Sequence, residues 1–205
     1  MAEIQALILD LGNVVLNYDH GRSAREIARI SGCGEKEIES FIFGSLKDRF
    51  NRGQVTGEEF FGLIKDRFNL KISFDDFHPI WSDIFSENLD VTGVLPELYS
   101  NYPVYLLTNT DILHFEYILA NFPVVSRFNQ IFASYRMGIA KPDRGIYQLA
   151  LAEVGLPADA VLYVDDEPAF VEAARLCGLN ALLYRPGISF RNELIKFGIS
   201  ISHQP

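Results

Sequence analysis

The chain has little of what would tie it to an oxidising compartment, a membrane or a nucleic acid. Only two of its 205 residues are cysteine, Cys33 and Cys177. They lie far apart and outside any CxxC pair, which suits a reducing compartment with unpaired thiols rather than a disulfide framework. Basic residues are outnumbered: 18 Lys and Arg stand against 27 Asp and Glu, a net charge of −9, and no basic run occurs. Nucleic acid and anionic membrane surfaces are therefore poor partners, and an anionic ligand would need a local positive site. No apolar stretch approaches the roughly 20 residues that a bilayer crossing needs, and the opening MAEIQ carries no basic leader region. A soluble, cytoplasmic chain is expected. Internal repeats and low-complexity tracts are also lacking.

What is present is a substantial apolar content, 48% of the residues, enough to bury a sizeable core. Five short apolar runs read as strands buried on both faces: Ala6 to Leu9, Val104 to Leu107, Ile131 to Ala133, Val161 to Val164 and Ala181 to Tyr184. Between them, Asp111 to Asn121, Gly145 to Val154 and Pro168 to Cys177 repeat apolar residues at three- and four-residue spacing, and Gly178 is placed to end the last helix. Strand and helix in alternation predict an α/β fold with a parallel sheet and right-handed crossovers. From Asn17 to about Asp90 the rhythm changes. SAREIARI, EKEIESFIF, GEEFFGLIKDRF and FDDFHPIWSDIF all read as helical, joined by breaks such as Arg52-Gly53. This interval reads as a helical insert after the first strand.

Polar residues at the carboxyl ends of parallel strands are the informative ones, because ligands bind there. Asp10 ends the apolar start of LILDLGNVVL; Thr108 and Asn109 follow the second run; Lys141 precedes Pro142 and a helix; Asp165 and Asp166 follow the fourth run. Taken singly, Thr108, Asn109 or Asp165 is most simply a helix N-cap, and Lys141 a solvated lysine. Asp165, Asp166 and Glu167 in a row repel one another unless a helix terminus or a cation compensates them, and the two readings are balanced.

Together the four points describe phosphoryl transfer. Asp10 is the candidate nucleophile, forming an aspartyl-phosphate. Mg²⁺ would sit on the Asp10 and Asp166 carboxylates and the Gly12 carbonyl. Lys141 offsets charge, Thr108 and Asn109 join it in binding the phosphate, and Asp165 orients its neighbours.

The motifs LDLGNVV, LLTNT, GIAKPD and LYVDDEP, in that order over the whole chain, resemble those of the haloacid dehalogenase (HAD) superfamily. DLGNV, LTNTDILH, KPDRGIY and VDDEP look closest to the branch that includes α-D-glucose-1-phosphate phosphatase. The resemblance implies a Rossmann-like parallel-sheet core, residues 1–16 and 91–205, with an inserted helical cap, 17–90. It also implies Mg²⁺-dependent hydrolysis of a small phosphorylated metabolite, a sugar phosphate by the branch resemblance. The assembly is expected to be a monomer or a small homo-oligomer.

One residue departs from the pattern. Most phosphatases of the superfamily carry an aspartate two residues after the nucleophile as acid and base, and here that position is Gly12. Acid-base catalysis is usually worth about 10²–10⁴-fold, so substrates with good leaving groups are expected to suffer least. Asp19, His114 and Arg52 are the candidates for the substrate rim; by their spacing Asp19 reads more simply as a helix cap and His114 as a helix-surface histidine. Arg22, Arg25 and Arg29 read as a solvated stripe, and Trp81 as packing. Gly12 also admits two alternatives: a metal-independent 2-haloacid dehalogenase, and a phosphometabolite-binding protein of weak activity. The first leaves Asp165 and Asp166 uncompensated and the second has no use for a nucleophilic carboxylate, so the phosphatase is preferred.

Overall fold

Ala6-Leu7-Ile8-Leu9 has no polar side chain, and in the computed structural model, which describes residues 3–201, all four are buried. The first two and last four residues, part of the segments expected to form the core, lie outside the described residues. In chain order, β1 (Ala6–Leu9) and β2 (Leu16–Tyr18) lead into α1 (His20–Ser31), α2 (Glu35–Phe41), α3 (Lys47–Asn51), α4 (Gly57–Phe68) and α5 (Phe74–Ser82). Next come β3 (Phe85–Glu87), α6 (Leu89–Thr92), α7 (Leu95–Asn101), β4 (Val104–Thr108) and α8 (Ile112–Asn121). The chain continues with β5 (Ile131–Ala133), α9 (Ser134–Met137), α10 (Arg144–Val154), β6 (Val161–Asp165), α11 (Pro168–Leu176), β7 (Asn180–Leu183) and α12 (Phe190–Lys196).

Five strands form one sheet in the order β5-β4-β1-β6-β7, and every pairing in it is parallel. By rank along the chain this is a Rossmann-like 3-2-1-4-5 order, whose direction reverses beside β1. The pleat divides each strand between two layers. Leu7, Leu9, Leu106, Leu162 and Val164 pack with Leu95, Leu98, Phe190 and Leu194, whereas Ala6, Ile8, Leu107, Val161 and Tyr163 pack with Ile146, Tyr147, Val171 and Ala174. Helices cover both faces, which is why the strands read as continuous apolar runs instead of alternating ones.

The five strands and three helices read from the sequence are present, with ends shifted by a residue or so, as helix and strand termini commonly are. Other elements went unread. Helices α7 and α12 have seven residues each, two turns or less, too short for their periodicity to stand out. The interval 17–90 is not helical throughout: Asn17 and Tyr18 pair antiparallel with Ser86 and Phe85. Leu16-Asn17-Tyr18 and Phe85-Ser86-Glu87 are too short and too polar to stand out as the apolar runs of the sheet do.

Helices α1 to α5 surround an apolar cluster of their own, including Ala24, Ile27, Phe50, Phe60, Phe77 and Trp81, with Leu113 reaching in from α8. Their start signals are local. Thr56 and Glu59 form a reciprocal capping box before α4, and Ser73 and Asp76 form another before α5, each satisfying two otherwise unpaired backbone donors. Phe60 stacks on Phe50 at 4.2 Å between ring centroids and meets Trp81 at 4.7 Å. Among the described residues no helix is long and apolar enough to cross a membrane.

Phe60→Ala removes the ring at the middle of this cluster and is expected to cost about 3–5 kcal/mol, read as a lower urea midpoint. An unchanged midpoint would show that the helical segment does not unfold together with the sheet.

Candidate active site

The sheet reverses direction at β1, and the residues that leave β1 and β6 there are acids. Asp10 is buried, and its backbone N–H donates to the Val164 carbonyl at 2.8 Å. Asp165 continues the 161/163 side of β6, so its carboxylate meets the hydroxyl of Tyr163. Between the two acids lies Lys141, also buried. Its Nζ is 2.7 Å from Asp10 Oδ1 and 2.7 Å from Asp165 Oδ2. Asn109 holds the lysine backbone from both sides: its Nδ2 donates to the Lys141 carbonyl at 2.9 Å, and its Oδ1 accepts from the Lys141 N–H at 2.8 Å.

These contacts sort the candidate residues. Both amide atoms of Asn109 bond Lys141, so its side chain positions the lysine, and Asn109 lines the cavity beside Thr108. Thr108 is buried at the end of β4 and lines the cavity. Asp165 is committed on both oxygens, since Oδ1 also accepts from the Glu167 N–H at 2.9 Å. Asp166 is held by Asn13, whose Nδ2 donates to Oδ2 at 3.1 Å.

One carboxylate oxygen from each of Asp10, Asp165 and Asp166 lies within 4.8 Å of the others. With Asp165 fully engaged, Asp10 and Asp166 are left with oxygens to offer a cation. The electrostatics agree. Burial pushes the Asp10 carboxyl up to about 7 against the pull of Lys141, and burial likewise raises Asp166. Burial opposes charge on Lys141, but Asp10 and Asp165 outweigh it and hold the ammonium above its usual range.

A cavity of about 560 Å³ opens over these groups. Asp10, Thr108, Lys141 and Asp166 form its floor, and His20, Phe43, Lys47 and Asn51 come from the helical insert. Beside it lies a buried network that joins insert to core. Lys47 Nζ donates to Asp111 Oδ2 at 2.6 Å and lies 3.3 Å from His114 Nδ1. His114 Nε2 is 3.0 Å from the Trp81 carbonyl, and the two rings stack at 4.9 Å. Burial works against charge on Asp111, yet His114 and Lys47 hold it well below the carboxylate range. Burial also lowers His114.

His114 is thus not a helix-surface residue; helix α5 covers that side of α8, which spacing within α8 could not reveal. Asp19 accepts from the Gly21 N–H at 2.8 Å as the cap of α1 and from Arg25 at 2.8 Å. Arg52 pairs with Asp48. Of the three rim candidates His114 lines the cavity and Asp19 and Arg52 do not; Asp19 takes the helix-cap role that its spacing favoured, and Arg52 is turned to its ion pair with Asp48.

The sequence pattern of the haloacid dehalogenase-like hydrolases matches residues 4–178. The chain belongs to this family. It is 28% identical over 197 residues to drimenol cyclase drtB of Aspergillus calidoustus, covering 93% of this chain and 36% of that protein, so it spans about a third of that relative's length. It is 19% identical over 199 residues to the D-ribitol-5-phosphate phosphatase of Bacteroides thetaiotaomicron, covering 93% of this chain and 97% of that enzyme. A solved HAD family enzyme of Bacteroides thetaiotaomicron, in complex with magnesium and inorganic phosphate, superposes with a TM-score of 0.81 at 25% identity, covering 93% of this chain and 98% of that one.

For this haloacid dehalogenase-like hydrolase, sequence reasoning passed over Tyr18, Lys47 and Asn51, which line the cavity together with His20. Their only signal was position: Tyr18 and His20 lie at the entry to the insert and Lys47 and Asn51 on one short helix. His20 Nδ1 and Asn51 Oδ1 are buried and have no hydrogen-bond partner among the described residues. Burial, then Lys47 and His114, drive the His20 imidazole down to about 3 from an ordinary 6.5. Between those two values the unfolded chain binds a proton that the folded one refuses, so stability falls as pH falls from 6.5 toward 3. His20→Phe is expected to flatten that part of a melting temperature against pH profile; a slope equal to the wild type would remove His20 as its source.

Proposed function

We propose that the chain is a Mg²⁺-dependent phosphatase that hydrolyses a small phosphorylated metabolite through an aspartyl-phosphate on Asp10. The observation that carries this reading is the buried Lys141 ammonium, 2.7 Å from Asp10 and 2.7 Å from Asp165, with Asp166 alongside and a cavity above. Three carboxylates face one ammonium, and the two uncompensated negative charges match a divalent cation. The donors are hard oxygens, as Mg²⁺ prefers. The Asp10 and Asp166 carboxylates and the Gly12 carbonyl would hold the ion. When bound, it supplies positive charge to the phosphate and to the attacking carboxylate.

The side chains of this protein do the remainder. Asp10 attacks phosphorus, and the P–O bond to the leaving group breaks as the aspartyl-phosphate forms. Lys141 opposes the burial that pushes the Asp10 carboxyl up and neutralises the transferring oxygens. The Thr108 hydroxyl and neighbouring backbone N–H groups bind those oxygens. Asp165, fixed by Tyr163 and Glu167, holds Lys141 in place. Helices α1 to α5 act as the cap, which screens the reaction from water and shapes the cavity for its substrate. A phosphorylated sugar or polyol is the substrate class, supported by the D-ribitol-5-phosphate phosphatase among the relatives and by Asn51, His20 and Lys47 on the cap side of the cavity.

Phosphate release from a panel of sugar, acyl and aryl phosphates tests the reading. Release is expected with Mg²⁺, and neither EDTA-treated protein nor Asp10→Asn should exceed the no-enzyme rate. Asp166→Asn should raise the Mg²⁺ concentration for half-maximal rate by on the order of 10–100-fold or more, at least what loss of an outer-sphere partner costs. Halide release from a 2-haloacid in EDTA, with no phosphate release anywhere in the panel, would assign the dehalogenase chemistry in its place.

A further inference from the structure

Gly12 is packed against a ring. A Cβ built on it would stand 2.8 Å from Tyr18 Cε1, closer than a carbon can sit, and 3.2 Å from Cδ1. The space into which a side chain at position 12 would project is therefore filled by the phenol of Tyr18. That ring is held by its setting. Tyr18 ends β2 opposite Phe85, with ring centroids 6.3 Å from Phe85 and 4.7 Å from His20. It lines the same cavity as Asp10, Gly12 and Asp166. Its hydroxyl makes no hydrogen bond among the described residues, and the residue is 38% exposed, so the O–H remains available to a bound molecule.

His20 also lines the cavity with its Nδ1 unpartnered, but burial drives its imidazole down to about 3, so it holds no acidic proton near neutral pH; the other acids near the cavity are engaged. Asp19 caps α1 and pairs with Arg25. His114 is locked between Asp111 and the Trp81 carbonyl. Glu167 turns back to cap α11.

We propose that the Tyr18 hydroxyl contacts the departing oxygen of the substrate and gives it a proton, in the space that Gly12 leaves open. This rests on the phosphatase reading above. In the first half-reaction the bond from an Asp10 oxygen to phosphorus forms and the bond from phosphorus to the leaving oxygen breaks. The leaving oxygen takes the electron pair and the Tyr18 proton and departs as an alcohol. In the second half-reaction water attacks the aspartyl-phosphate, its proton passes to the Tyr18 phenolate, and phosphate leaves with Asp10 and Tyr18 both restored. Gly12 then no longer restricts the enzyme to good leaving groups, and ordinary alkyl phosphates become substrates.

The test compares kcat/KM, which reports every step through departure of the leaving group, for wild type and Tyr18→Phe with Mg²⁺. One substrate is an aryl phosphate whose leaving oxygen needs no proton, and the other is glycerol phosphate. The variant keeps the ring and its packing and loses only the hydroxyl. It is expected to retain the aryl phosphate rate within about 3-fold and to lose about 10²-fold or more on glycerol phosphate, the scale of general acid catalysis. Equal losses on both substrates, or no loss on either, would overturn the role of Tyr18 while leaving the phosphatase reading intact. Wild-type protein that cleaves neither substrate, or an Asp10→Asn variant that cleaves both, would overturn that reading and the role of Tyr18 with it.

Discussion

The site depends on one ammonium shared by two carboxylates. Lys141, Asp10 and Asp165 are all withdrawn from water, and none of them tolerates that position alone. Removing one member of a buried pair typically costs about 3–5 kcal/mol, because the partner's charge is left uncompensated. Other features of the site serve to keep this arrangement in register. Asn109 fixes the lysine backbone, Tyr163 and the Glu167 N–H fix Asp165, and the parallel pairing of β1 with β6 sets Asp10 beside both. Two strands that are distant in sequence thus deliver their acids to one cation with no freedom to relax apart.

The sheet was legible in the sequence for a physical reason. Strands covered by helices on both faces must be apolar throughout, and runs such as ALIL and VLYV show it. The polar residues ending those runs were legible for the complementary reason, since a charge next to such a run requires a partner. What the partner is could not be read. Nothing local in KPD tells that Lys141 reaches two acids, or that Asn109 spends its side chain on the lysine backbone. Tyr18 and Lys47 were missed because their importance comes from packing across the ribbon and across the α3–α8 contact. The plainer reading of His114 as a helix-surface residue failed for the same reason: a helix seen alone has no inside, and Trp81 supplies one.

The cavity has two walls of different chemistry. Its floor carries Asp10, Lys141 and Asp166, each held by hydrogen bonds or ion pairs within the core. The opposite wall, from the insert, carries aromatic rings, the Lys47 ammonium and two buried polar atoms without partners among the described residues. A phosphate bound on the floor would sit among groups set before it arrives, which spares the reorganisation that water would demand. The upper wall is less committed, because its contacts come in part from a short helix and from a kink in the chain at Phe43 and Gly44.

The way the insert is attached has a consequence for how folds of this kind can diversify. Its entry and exit are paired to each other, Tyr18 opposite Phe85, so the core meets a two-stranded stalk whatever lies beyond it. The entropy of closing the chain is fixed at the stalk, and a longer or shorter helical segment changes it only logarithmically. Loop closure therefore leaves the length of the segment between Tyr18 and Phe85 free to vary. Its side chains are less free: Lys47 brings an ammonium to the buried Asp111 and Leu113 packs into the segment's own apolar cluster, so any change of length must keep those contacts or leave a carboxylate without its cation.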